Sequence, residues 1–170
     1  MLLSRALPAA LFAGVLLLSS PARSADETPA PETRLAVGGE VPKPLSLSAA
    51  DLAALPRQRV TARDHEGREA TYEGVALVEL LRRTGLELGE KLRGKKLALF
   101  LVAEASDGYR AVYALPELDP TFTDRVILLA DLKDGKPFSA KEGPLRIVVP
   151  GEKMQARWVR QVVALVVRGI

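Results

Sequence analysis

The chain has 170 residues, with 24 Lys and Arg against 21 Asp and Glu, one His and no Cys. Without thiols there is no disulfide and no lipobox cysteine to acylate, so stability has to come from an apolar core. Arg5 and Arg23 lie in the first 24 positions with no acid beside them, leaving 22 − 21 = +1 for the remainder, a balance that speaks against a nucleic-acid-binding domain.

In chain order, Arg5 followed by the uncharged stretch Ala6 to Ser20 reads as the basic and apolar regions of a secretory signal. The stretch is too short and too Pro-interrupted for a spanning helix, so no membrane span is expected after cleavage. Ala22-Arg23-Ser24 fits the small-x-small rule and sets the mature start at Ala25, with Ser20-Pro21-Ala22 as a second choice. Segment 1–24 is thus read as a signal and the protein as periplasmic or secreted and soluble. Residues 25–33, rich in Pro and polar side chains, read as a flexible leader. Segment 34–170 has the size of one domain.

Within that domain, Leu35 to Val41 predicts an opening strand, and Leu45-Ser-Leu-Ser leads into a helix over Ala49 to Leu55, capped by Ser48 with Asp51 at its third position. Gln58–His65 and Arg68–Tyr72 flank Glu66-Gly67 as an antiparallel hairpin. Val75, Leu77, Val78, Leu80 and Leu81 have helical spacing and stop at Gly85. Lys96 to Glu104 predicts a strand buried on both faces, turning at Asp107-Gly108 into Tyr109–Tyr113. A helical turn at Leu115–Leu118, a strand from Val126 to Leu132, and strands over Leu145–Val149 and Trp158–Val167 complete the pattern. Strands dominate and hairpins connect them, so the fold class is α+β, a mostly antiparallel mixed sheet with few short helices. The expected core comprises Val75, Leu77, Leu81, Leu99, Leu101, Ile127, Leu129, Ile147, Val149 and Val162.

Five segments, in this order, resemble the sulfite oxidase fold, the oxidoreductase molybdopterin-binding domain family. They are Leu45-Ser-Leu-Ser with Asp51-Leu52 and Leu55-Pro56; Tyr72-Glu-Gly-Val-Ala-Leu-Val-Glu-Leu-Leu81; Ala105-Ser-Asp-Gly-Tyr109; Leu128-Leu-Ala130 with Asp134-Gly-Lys-Pro137; and Gly143 to Gly151 with Arg157-Trp158-Val159. The resemblance implies a domain that cradles a pyranopterin, with molybdenum held by the dithiolene and one protein cysteine. In the family that cysteine lies between the counterparts of Arg59–Arg63 and Gly74–Leu81, where this chain runs directly through Asp64-His65-Glu66-Gly67. Lacking the thiolate, the chain is not expected to carry out the family's oxo transfer.

The loop Pro150 to Trp158 resembles the segment that holds the pterin and its phosphate, with Arg157 at the basic position. Arg157, helped by Lys153, Arg146 and Arg110, makes a candidate anion site; the alternative is a set of solvated charges with Arg157 paired to a local acid. His65, beside Asp64 and Glu66, reads as a surface turn or as a proton-transfer group. Asp131, Asp134 and Gly135 read as an acidic turn and not a calcium loop, and no metal site is expected. Tyr109 and Tyr113 either face a pocket or pack across a hairpin, and Trp158 stacks on a ligand or anchors the core. The leading expectation is an exported ligand-binding or accessory domain with no cofactor, molybdopterin being the one its cleft would take. Its partner is an anionic small molecule or a periplasmic protein. The other reading is a periplasmic molybdopterin-dependent oxidoreductase with a non-cysteine or partner-supplied metal ligand; a third is a structural subunit of an exported complex.

Overall fold

Strict alternation drives the first strand: Arg34–Gly39 (β1) buries Leu35 and Val37 and turns Ala36 outward. The computed structural model describes residues 34–170, so the expected signal, its cleavage site and the leader lie outside the described residues. After β1 come Leu45–Ser48 (β2) and the helix Ala49–Ala53 (α1). Ser48 and Asp51 form the anticipated reciprocal cap, with Ser48 Oγ accepting from Asp51 N at 3.1 Å and Asp51 accepting from Ser48 N at 2.8 Å. Leu45-Ser-Leu-Ser is itself a strand, because Val37 and Leu35 of β1 give Leu45 and Leu47 a register to pair with.

Arg57–Arg63 (β3) and Glu69–Ala76 (β4) form the predicted hairpin. The helix that follows, Leu77–Arg83 (α2), starts two residues later than its periodicity suggests. Val75 and Ala76 are held as strand by pairing with Leu129 and Leu128. A Cβ at Gly74 would stand 2.1 Å from the Leu129 carbonyl oxygen, so the close passage of these two strands requires glycine.

Two 3-10 turns, Gly89–Lys91 and Gly94–Ala98, precede Phe100–Ala105 (β5) and Arg110–Ala114 (β6). The predicted strand from Lys96 therefore begins at Phe100, and Leu99 is only half-buried. After the turn Leu115–Glu117 come Leu128–Lys133 (β7), the two-residue Lys136–Pro137 (β8), Arg146–Val148 (β9), a turn at Gln155–Arg157 and Val162–Arg168 (β10). Trp158 precedes the last strand instead of beginning it.

One sheet has the order β2-β1-β10-β5-β6 and the other β3-β4-β7-β8, with β9 also on β7. Only β1 and β10 pair in parallel; every other pairing is antiparallel, giving the expected α+β class. The inner faces of both sheets and α2 share one core, in which Leu101, Tyr113 and Leu165 meet Tyr72, Ile147 and Leu81. All the predicted core residues except Leu99 are buried. Among the described residues no helix is long and apolar enough to cross a membrane.

Candidate functional site

At one end of the two sheets, turns from both converge on an open cleft of about 630 Å³. The β3–β4 turn contributes His65, the β5–β6 turn Asp107 and Tyr109, the segment before β9 Lys141 and Glu142, and the approach to β10 Trp158 and Arg160. Arg146, the first residue of β9, reaches the same cleft although it is only 5% exposed.

Arg146 makes one side-chain bond, from Nη1 to the Glu142 carboxylate. Its guanidinium stacks over Trp158, 5.4 Å from the ring centroid, and Trp158 donates from Nε1 to the Val149 carbonyl at 3.1 Å. Arg146 Nε is buried without a partner among the described residues. Gln155, which donates to the Arg63 carbonyl, leaves its own side-chain oxygen unpaired in the cleft wall. Buried polar atoms without partners are uncommon and mark places where another group belongs. At the rim, Lys141 and Arg160 are exposed and form no ion pair among the described residues. Glu142 is paired with Arg146 and Asp107 accepts only a neutral amide, from Tyr109 N, so the lining sets three cationic side chains, Lys141, Arg146 and Arg160, against two carboxylates.

The four anticipated anion-site residues are not brought together. Arg157 donates from Nη1 to the Val112 carbonyl and Glu117, from Nη2 to Glu117 and Glu152, and from Nε to Glu152. A guanidinium has five N–H donors, so this set leaves none for a ligand. Hydrogen bonding to Glu117, and then to Glu152, holds its pKa above the usual arginine value. The anticipated alternative, pairing with a local acid, describes Glu152, while Glu117 comes from 40 residues away. Lys153 is exposed and outside the cleft lining, and Arg110 lies 3.0 Å from Glu104 on the outer face of the first sheet. Only Arg146 of the four faces the cleft. Lys141 and Arg160 escaped sequence reasoning because neither sits in a motif; loops far apart in sequence bring them to one rim.

The other candidates resolve individually. Asp64 closes the β3–β4 turn, accepting from Glu66 N and Arg68 N, each at 3.0 Å, and from Lys133 Nζ at 3.2 Å. Burial pushes its pKa up, but the Arg68 amide and Lys133 outweigh this and hold the carboxyl well below the usual range. His65 is thereby presented at the cleft mouth, 69% exposed and 3.7 Å from Glu66. Asp131 forms a two-point pair with Arg57, and Asp134 caps Thr71 N at 2.9 Å, so this acidic turn is structural. Tyr109 lines the cleft and donates to the Ala156 carbonyl at 2.6 Å, while buried Tyr113 donates to the Arg157 carbonyl. Trp158 packs edge-on against Tyr72 with centroids 5.5 Å apart, as a core anchor.

Two sheets around one core, mostly antiparallel and with an open cleft at one end, define an α+β domain. The chain belongs to the oxidoreductase molybdopterin binding domain family, whose model matches residues 22–169. Among solved structures it is similar to the sulfane dehydrogenase SoxCD from Paracoccus pantotrophus, at 22% identity and a TM-score of 0.63, over 81% of this chain. The chain spans 39% of that protein's chain. A search of curated protein sequences finds none that matches.

The donor set does not fit molybdenum bound through a protein thiolate. The chain has no cysteine, a closed four-residue turn occupies Asp64–Gly67, and Arg157 has no free donor for a pterin phosphate. Among the described residues no three His, Asp or Glu side chains cluster to hold a metal ion.

Proposed function

We propose that this domain works outside the cytoplasm as a ligand-binding or accessory protein that keeps the molybdopterin-binding scaffold without molybdenum chemistry, and that its cleft takes an anionic small molecule. Arg146 carries the reading: a buried guanidinium in the cleft wall, bonded among the described residues only through Nη1, with Nη2 unbonded. Nη2, which makes no bond among the described residues, is the donor left for an oxygen of a carboxylate or phosphate. Trp158 and Glu142 fix the plane of that guanidinium, while Lys141 and Arg160 add two mobile cations at the mouth. Binding energy then comes from charge-assisted hydrogen bonds in a partly desolvated wall, where they are stronger than in bulk water.

The test is calorimetric titration of the purified protein with inorganic phosphate and with a phosphorylated pterin, at low and moderate salt. Saturable binding that weakens with ionic strength is expected. Arg160→Gln and Lys141→Gln, both exposed and safe for folding, should each weaken it by roughly three- to tenfold, about 1 kcal/mol. Arg157→Ala should leave it unchanged. Absence of saturable binding, or loss of it only in Arg157→Ala, refutes the cleft assignment. Stoichiometric molybdenum in protein from its natural source refutes the metal-free reading and favours the oxidoreductase.

A further inference from the structure

The outer face of the first sheet is unusually apolar for a surface. Alternation along β5, β6 and β10 sends Leu101, Tyr113 and Leu165 inward and leaves Val102, Val112 and Val166 outward. Register places Val112 beside Val102 and Val102 beside Val166, with Gly38 next on β1, so one apolar row crosses four strands. Phe100 and Ala114 flank it on one side, and Ala164 and Ala36 on the other. Val112 is 50% exposed and Val166 partly exposed, Val102 between them is 7% exposed, and a Cβ built on Gly38 meets nothing within 4 Å. An antiparallel sheet with one wet face carries polar residues there, and an apolar stripe with a charged rim marks a contact surface.

The rim charges indicate the occupant. Glu104 and Arg110 pair with one another on one side of the valine row, and Arg168, without an ion pair among the described residues, lies on the other. Facing two copies across a two-fold axis that runs along the valine row brings Arg168 of each beside Glu104 of the other and sets valine against valine. Strands of the two faces then run nearly aligned, which is a standard way for sheets to stack. We infer that the outer face of the β2-β1-β10-β5-β6 sheet is the interface of a two-fold dimer, built on Val102, Val112 and Val166 and oriented by Arg168–Glu104 pairs between copies.

The face is small. With strands about 4.8 Å apart and about 3.3 Å per residue it offers on the order of 400 Å², against about 800 Å² per partner in a standard interface. The dimer is therefore weak and concentration-dependent. Sedimentation and light scattering on protein bearing its natural N-terminus, from micromolar to submillimolar, should show the mass passing from one chain to two. Val112→Lys, at an exposed position, should raise the dissociation constant by at least about tenfold. Arg168→Glu and Glu104→Arg should each weaken the dimer, and the double exchange should restore it, a rescue that general surface stickiness does not produce. A single-chain mass throughout, including one caused by another protein covering this face, overturns the inference. So does a dimer indifferent to Val112→Lys, or an exchange without rescue. This surface is remote from the cleft assignment, and neither result decides the other.

Discussion

Asp64 shows how one carboxylate fixes a turn at which a longer element is expected. Four donors converge on it, two backbone amides, Arg68 and Lys133, and the ionised form is the one they favour. A carboxyl with a lowered folded-state pKa stabilises the fold above its unfolded pKa, about 4, and that contribution disappears as pH falls through the folded value. Asp64→Asn keeps the amide bonds but loses the pairing with Lys133. Urea midpoints at a series of pH values should show a gap between parent and Asp64→Asn that is full at neutrality and narrows below about pH 4. A gap constant into strong acid rules out the ionised role. His65, carried at the tip of this turn, was legible as a turn residue from the sequence. Its place at the cleft was not, because the opposite walls come from segments some 40 to 95 positions further on. The same limit explains Arg157: a basic residue beside a tryptophan raises the expectation of a phosphate contact, but Glu117 lies 40 residues away and only the fold brings it there.

Among the elements, long strands and the capped helix were readable because their signals are local: the Ser48–Asp51 box, the Gly67 and Gly108 turns, and the apolar and β-branched run of β10. Boundaries failed where a partner strand decided them. Val75 has helical spacing with Leu77 and Leu81, yet it pairs with Leu129 and remains in β4. β5 read as buried on both faces, and Leu101, Val102 and Ala103 are buried in succession, with Phe100 and Glu104 partly exposed. Gly74→Ala should cost more than about 2 kcal/mol, because the new methyl meets backbone that cannot retreat without breaking the ladder. Ile147→Ala, in the strand that presents Arg146, should cost roughly 2 to 5 kcal/mol. Chemical denaturation measures both, and losses below about 0.5 kcal/mol would show that β4, β7 and β9 do not pack in this register.

For the molecule as a whole, two sheets around one core make separate melting unfavourable. The only tryptophan reports on both: Trp158 leads into β10 of the first sheet, packs against Tyr72 of the second and bonds to the Val149 carbonyl beside β9. Tryptophan fluorescence and far-ultraviolet dichroism should therefore trace one coincident transition. Two separated midpoints would mean that the sheets unfold independently. The ties around Arg157 bear on a different hazard. β6 is the last strand of its sheet, and the groups it turns away from β5 include the Val112 carbonyl and the Ala114 amide. Arg157 occupies the first and Glu117 the second, at 3.1 and 2.8 Å. An open strand edge invites another chain to add to it, and this one is partly occupied by a side-chain ion pair. The pair that denies Arg157 to a ligand thus also occupies two edge groups that a second strand would need.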